Sequence, residues 1–170
     1  IVSSSLALTS EANVIATLSK EVSYSISDVA ANIASGNTTA LNQAINITST
    51  DSCTFAQAKV IEDATNSGTS TYNISDTAAN LAAGVTTDSV SISGAQVASA
   101  DTYALKAEAN AIASISKQVN YSIKDTGANL STTNTTALNQ AINIIASDST
   151  TYSEAKVINN ASNSGYTTSV

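Results

Sequence analysis

An α/β repeat fold, with strands and helices alternating around a parallel sheet, is what this sequence predicts, and three observations carry the prediction. The first is a long internal repeat: residues 11–68 recur as 108–165, offset by 97 positions. EANVIATLSKEVSYSISD returns as EANAIASISKQVNYSIKD, TTALNQAINI (38–47) returns unchanged at 135–144, and AKVI (58–61) returns at 155–158. The second is a shorter period inside the first. Tyr24-Ser-Ile26-Ser-Asp28, Tyr72-Asn-Ile74-Ser-Asp76 and Tyr121-Ser-Ile123-Lys-Asp125 lie 48 and 49 residues apart, a spacing that marks stacked supersecondary units. The third is that hydrophobic periodicity switches between two and roughly 3.6 within each unit.

Each 48-residue unit divides into two strand-then-helix halves. In the first, Val22-Ser-Tyr24-Ser-Ile26-Ser alternates apolar and polar, the mark of a half-buried strand. Asp28 stands at an N-cap position for a short helix over 29–34. In the second half, residues 44–48 (AINIT) read as a strand, and Asp51 or Ser52 caps a longer helix. Phe55, Ala58 and Ile61 form the apolar stripe of that helix; Gln57, Lys59, Glu62 and Asp63 form its other side. Asn66-Ser67-Gly68, with its copy Asn163-Ser164-Gly165, reads as the helix C-cap.

The same pattern places strands at 71–75, 89–93, 120–124 and 141–145, and helices at 77–83, 106–117, 126–131 and 152–161. Residues 93–106 carry about six extra positions relative to the other units and read as a loop or extra turn. The chain is thus one repeat array over 1–170, with sub-repeats near 1–20, 21–68, 69–117, 118–165 and a partial end at 166–170.

Strands that alternate with helices pair in parallel through crossovers. A parallel sheet covered on both faces would read as continuous Val and Ile, and these strands alternate instead. The expectation is an α/β solenoid with helices on one face of the sheet, leucine-rich-repeat-like. Tyr24, Ile26, Ile45, Ile47, Tyr72, Ile74, Val90, Ile92, Tyr121, Ile123, Ile142 and Ile144 then face the core. Ser23, Ser25, Asn46, Thr71, Asn73, Ser89, Ser91, Asn120, Ser122 and Asn143 face out as a strip of hydroxyls and amides.

Composition narrows the function. Only 11% of the residues are charged, against about 25% in ordinary globular proteins, while 42% are hydrophobic. The net charge is −7, from 6 basic and 13 acidic residues, and His, Trp, Met and Pro are absent. All six basic residues are lysines. Such a surface lacks the cationic patch that nucleic acid requires. No apolar run reaches the length of a membrane span. The chain opens on Ile1 without a basic leader and reads as a piece cut from within a longer array. A single Cys53 forms no internal disulfide, and its copy is Thr150. With no His for acid–base work or metal ligation and no Cys–His pair, an enzyme is not expected. Glu62 and Asp63 are adjacent on one helix and point apart, unlike a glycosidase pair.

Ser75-Asp76-Thr77-Ala78-Ala79-Asn80-Leu81, with Asp28-Val-Ala-Ala-Asn32-Ile and Asp125-Thr-Gly-Ala-Asn129-Leu, resembles the DTAANL-type repeats of very large bacterial secreted or cell-surface proteins. The resemblance extends over nearly the whole chain, through AINITSTDSCTFAQAKVIEDATNSG and its copy. It implies an extracellular, adhesin-like or surface-layer-like role. The departures are Val29 for Thr, Gly127 for Ala, and the insertion at 93–106.

Asp28, Asp76 and Asp125 are the candidate ladder of carboxylates. They read first as N-caps, worth about 1 kcal/mol each, and second as a column for a cation such as calcium, which wants six to eight oxygens. Asn32, Asn80 and Asn129 read as residues that satisfy backbone groups in the turn. Tyr24, Tyr72 and Tyr121 read as core-ladder members with hydroxyls at its edge. The alternative function is ligand binding, of glycans or a surface, on the outward strip at Ser23, Ser25, Asn46, Asn73, Ser91, Ser122 and Asn143. The expected partners are neighbouring repeats or further copies end to end, through strand edges at 1–8 and 166–170.

Overall fold

The structure is a computed structural model, and it describes residues 5–20, 22–88, 92, 94–115, 117 and 119–169. The chain is α/β: helices alternate with strands that belong to a six-stranded and a three-stranded sheet. It divides into two compact units, one of residues 1–74 with 91–97, the other of residues 75–90 with 98–170.

The first unit opens with β1 (Ser5–Ala7) and α1 (Thr9–Ile15), then β2 (Tyr24–Asp28), α2 (Ala30–Ala34) and α3 (Thr38–Gln43). It continues through β3 (Ile47–Cys53), α4 (Phe55–Glu62) and the start of β4 (Ser70–Asp76). Its strands pair in chain order and in parallel: Ala7 opposite Ile26, Ile26 opposite Ile47, Ile47 opposite Ser70. Tyr24, Ile26, Ile33, Ile47, Ile61 and Ile74 are all but fully buried and form its core.

The second unit contains α5 (Ala78–Asp88), the end of β5 (Ala95–Ala100), α6 (Lys106–Ile112), β6 (Val119–Asn120) and β7 (Ile123–Asp125). It is completed by α7 (Gly127–Ser131), α8 (Thr135–Gln140), β8 (Ile144–Ala146), α9 (Tyr152–Asn159) and β9 (Thr167–Thr168). Ala98 pairs with Val119, Ile123 with Ile144, and Ile144 with Thr167, again in parallel. The 97-residue repeat is exact at the level of elements: β2-α2-α3-β3-α4 returns as β7-α7-α8-β8-α9.

Several boundaries differ from expectation for identifiable reasons. TTALNQ, unassigned from sequence, is a helix in both copies (α3 and α8). At six residues it is too short to declare a periodic stripe, but Asn37 and Asn134 cap it by accepting the N–H of Thr39 and Thr136 at 2.8 and 2.9 Å. Its Ala40 and Leu41 are buried. Residues 44–46 therefore follow a helix, and the strand expected at 44–48 starts at Ile47 and extends to Cys53. Likewise Val22 and Ser23 precede β2, which starts at Tyr24. The helix expected over 106–117 ends at Ile112, and its neighbour over 77–83 extends to Asp88. The strand expected at 89–93 falls largely outside the described residues. The segment taken as a loop over 93–106 holds β5 and the first residue of α6.

Asn66-Ser67-Gly68 is not a helix cap: α4 ends at Glu62 with Asp63 as its C-cap. Gly68 instead donates its N–H to the Ile45 carbonyl at 2.7 Å, as Gly165 does to Ile142. A Cβ at Gly68 would meet Asn46 Oδ1 and lie 2.6 Å from the Ile45 oxygen; at Gly165 it would meet Asn143 Oδ1 and lie 2.5 Å from the Ile142 oxygen. Both glycines are there for close backbone approach. Gly68→Ala and Gly165→Ala should each destabilise the fold by about 1–3 kcal/mol, read as a lowered urea midpoint.

Candidate functional site

The strand-end carboxylates each accept several hydrogen bonds. Asp28 closes β2 and precedes the true N-cap of α2, Val29, so it is not itself the N-cap expected from sequence. Its Oδ1 accepts the Val29 N–H at 2.8 Å and the Asn32 amide at 2.9 Å. Its Oδ2 accepts the N–H of Thr9, the first residue of α1, at 3.0 Å. One carboxylate thus serves the helix that follows it, α2, and the helix that precedes its strand, α1. Asp125 repeats the arrangement with Thr126 (2.8 Å), Asn129 (2.8 Å) and the N–H of Lys106 at the start of α6 (2.9 Å). Asp76 binds the Thr77 N–H (2.8 Å) and the Asn80 amide (2.7 Å) in the same way.

Backward capping extends to residues that sequence reasoning assigned elsewhere. Asp51 does not cap α4, whose N-cap is Thr54. Its Oδ1 accepts the N–H of Ala30, the first residue of α2, at 2.6 Å. Asp148 accepts from Gly127 at the start of α7 at 2.7 Å, and Thr102 Oγ1 accepts from Ala78 at the start of α5 at 2.9 Å. The signal was a separation of 19 to 24 residues, which is invisible when caps are sought only beside the helix they serve.

Asn32, Asn80 and Asn129 are structural, but their amides bind the Asp carboxylates and not backbone groups. Burial raises the proton affinity of Asp28, yet the Asn32 amide and the Thr9 and Val29 N–H groups outweigh it and hold the carboxyl below its usual pKa. Asp125 is likewise held low: burial is outweighed by the Lys106 N–H, Asn129 and Thr126, with the Lys106 charge adding to them. Both carboxylates accept from N–H donors on each of their two oxygens. Among the described residues no three His, Cys, Asp or Glu side chains cluster to hold a metal.

The tyrosines lie in the core. Tyr24 and Tyr121 donate their hydroxyls to the carbonyls of Ala40 and Ala137, each at 2.7 Å, tying strand to helix. Tyr72 donates to Glu62, which also accepts the Gly94 N–H at 2.6 Å. Burial pushes the phenol of Tyr121 up, and that of Tyr72 up further with the Glu62 charge beside it. Cys53 is buried, and burial raises its thiol pKa too.

The expected outward strip is only partly exposed. Ser23 and Asn73 are exposed, while Asn46, Ser122 and Asn143 are half-buried. Ser25 is buried at 7% exposure, a correction: its Oγ accepts the backbone N–H of Asn46 at 3.3 Å, so it sits between strands. Ile142, expected inside, is 37% exposed, because the chain there is leaving α8 and not yet in β8. Ser91 lies outside the described residues, as do Ser89 and Val90. The amide oxygens of Asn46, Asn73 and Asn143 are occupied, accepting the N–H of Thr69, Val97 and Tyr166 one coil on at 2.9 to 3.1 Å. Asn13, Asn42, Asn110 and Asn139 do the same from the helices, for Asn37, Thr65, Asn134 and Ser162.

Among the described residues no helix is long and apolar enough to cross a membrane. No protein-family model, curated protein or solved structure matches the chain.

Two outcomes follow from the carboxylates. Asp28→Ala or Asp125→Ala strands buried N–H donors of two coils and should cost about 1–3 kcal/mol, measured by denaturant unfolding; Asp28→Asn should cost less. Because the folded pKa of both is lowered, their stabilisation is complete above the unfolded value of about 3.9. It is lost as pH falls through the folded values. Thermal stability should therefore drop below about pH 4, and Asp28→Asn with Asp125→Asn should flatten that drop.

Proposed function

We propose that this chain is a structural repeat segment of a bacterial extracellular protein, serving as adhesin stalk, surface-layer or filament building block. In this reading the parallel strands and their crossover helices wind as a solenoid with helices on one face of the sheet. One observation carries it: within each unit, neighbouring strand–helix segments share polar groups. Helix N–H groups are capped by carboxylates or a hydroxyl one coil downstream, and Asn side chains accept from backbone one coil downstream. The same set returns after 97 residues.

A pattern in which the unit is completed by its neighbour can be extended by adding units. That is the requirement of a stalk or filament, whereas an enzyme needs one site and not a lattice of caps. The partners in this reading are adjoining repeats or further copies, and the DTAANL-type resemblance supplies the extracellular assignment.

Tandem arrays of residues 1–97 test the proposal. Imaged singly, they should be unbranched rods whose length grows linearly with copy number, at about 4.8 Å per coil, and unfolding midpoints should rise with the first added copies. Compact particles of constant length would sink it.

A further inference from the structure

The two copies differ at scattered positions, and four of those differences fall together in one patch. At positions 97 residues apart, Leu6, Ser23, Ser27 and Thr69 of the first copy are replaced by Tyr103, Asn120, Lys124 and Tyr166 in the second. The register makes these positions equivalent, since Ala7 bridges Ile26 as Ala104 bridges Ile123.

All four replacements converge within the second unit. Tyr103 and Asn120 line one cavity of about 510 Å³ together with Asp101 and Ile142. Lys124 Nζ lies 5.9 Å from the centroid of the Tyr103 ring. Tyr103 also lies against Tyr166, and its proximity raises the Tyr166 phenol.

The patch has the makings of a recognition site. Tyr103 and Tyr166 are 50% and 54% exposed, unlike the core tyrosines, and the apolar Ile142 is exposed beside them. Among the described residues the side chains of Asn120 and Asp101 make no hydrogen bond, so their donors and acceptors are open to a ligand. Elsewhere the same residue types, such as Asn73 and Asp125, are consumed by the fold. The volume falls within the 300–1,000 Å³ typical of small-molecule sites.

We infer that this cavity is a carbohydrate site that takes a neutral pyranose, its C–H face on Tyr103 and its hydroxyls on Asn120 and Asp101. A purely apolar ligand would leave the amide and carboxylate unpaired on desolvation. An anion would meet the Asp101 carboxylate, and a cation would meet the Lys124 ammonium beside Tyr103. A pyranose satisfies both halves, as an aromatic platform with polar groups at its rim requires. The inference stands apart from the stalk proposal, since it concerns where the repeat is broken and not where it is kept.

The test is an NMR titration of the isotope-labelled 170-residue chain with methyl glucoside, methyl galactoside, methyl mannoside and N-acetylglucosamine, followed by their β-linked disaccharides. Binding should shift the amides of 99–103, 120, 122 and 143 and leave 23, 25 and 46 of the first copy unmoved. Tyr103→Leu and Asn120→Ser install the first copy's own residues and should keep the melting temperature while weakening binding about tenfold or more. The inference is overturned if no sugar of the panel moves those amides, if both copies respond alike, or if the two variants bind as tightly as the parent.

Discussion

The rest of the structure depends on a carboxylate held at the end of a strand. Helices of five to seven residues, which is what α1, α2, α6 and α7 are, are too short to be stable alone in water. Each leaves four N–H groups without an intrahelical partner. Asp28 and Asp125 resolve this by dividing their two oxygens. One holds the turn that starts the next helix, through Val29 and Asn32 or Thr126 and Asn129; the other reaches back to the helix of the previous coil. Strand, helix and neighbouring coil are thereby fixed by one buried group. Three donors per carboxylate keep it ionised at a depth where an unpaired charge would be expensive.

The second element of the design is the asparagine amide, and it accounts for the unusual composition. A chain with so few charges cannot lace its coils together with ion pairs, and Lys59–Asp63 on α4 is the salt bridge found among the described residues. Asn carbonyls take that place, accepting backbone N–H groups one coil onward from helix flanks (Asn13, Asn42, Asn110, Asn139) and from strand margins (Asn46, Asn73, Asn143). These bonds satisfy loop backbone that would otherwise be only partly paired. They also explain why Gly68 and Gly165 carry no side chain, because the Asn46 and Asn143 amides occupy that space.

Repetition and departure play different physical parts. Many residues common to the two copies are caps, Asn acceptors and core apolars, such as Asp28, Asn46 and Ile26, whose chemistry is spent inside the fold. Where they differ on the sheet margin of the second unit, at Tyr103, Asn120 and Lys124, the side chains are exposed or lack fold-internal hydrogen bonds. A site that recognises something outside the chain needs groups the scaffold does not use, and the broken repeat supplies them.

The sequence by itself determined the α/β class, the parallel pairing and the core positions Tyr24, Ile26, Ile47, Tyr72, Ile74, Tyr121, Ile123 and Ile144. Period-two alternation and the 97-residue repeat are properties of the chain alone, and burial of one strand face follows from them. It also picked out Asp28, Asp76 and Asp125 as caps in kind. Only the tertiary structure decided which helices they serve, that Asp51 and Asp148 belong to the preceding helix, that TTALNQ is helical, and that Ser25 is inside while Ile142 is out. Those outcomes depend on which backbone lies one coil away, a distance of about 20 residues in sequence but a single hydrogen bond in space. Local pattern encodes the direction a side chain points, whereas the partner it meets is set by how strands and helices distant in sequence pack together.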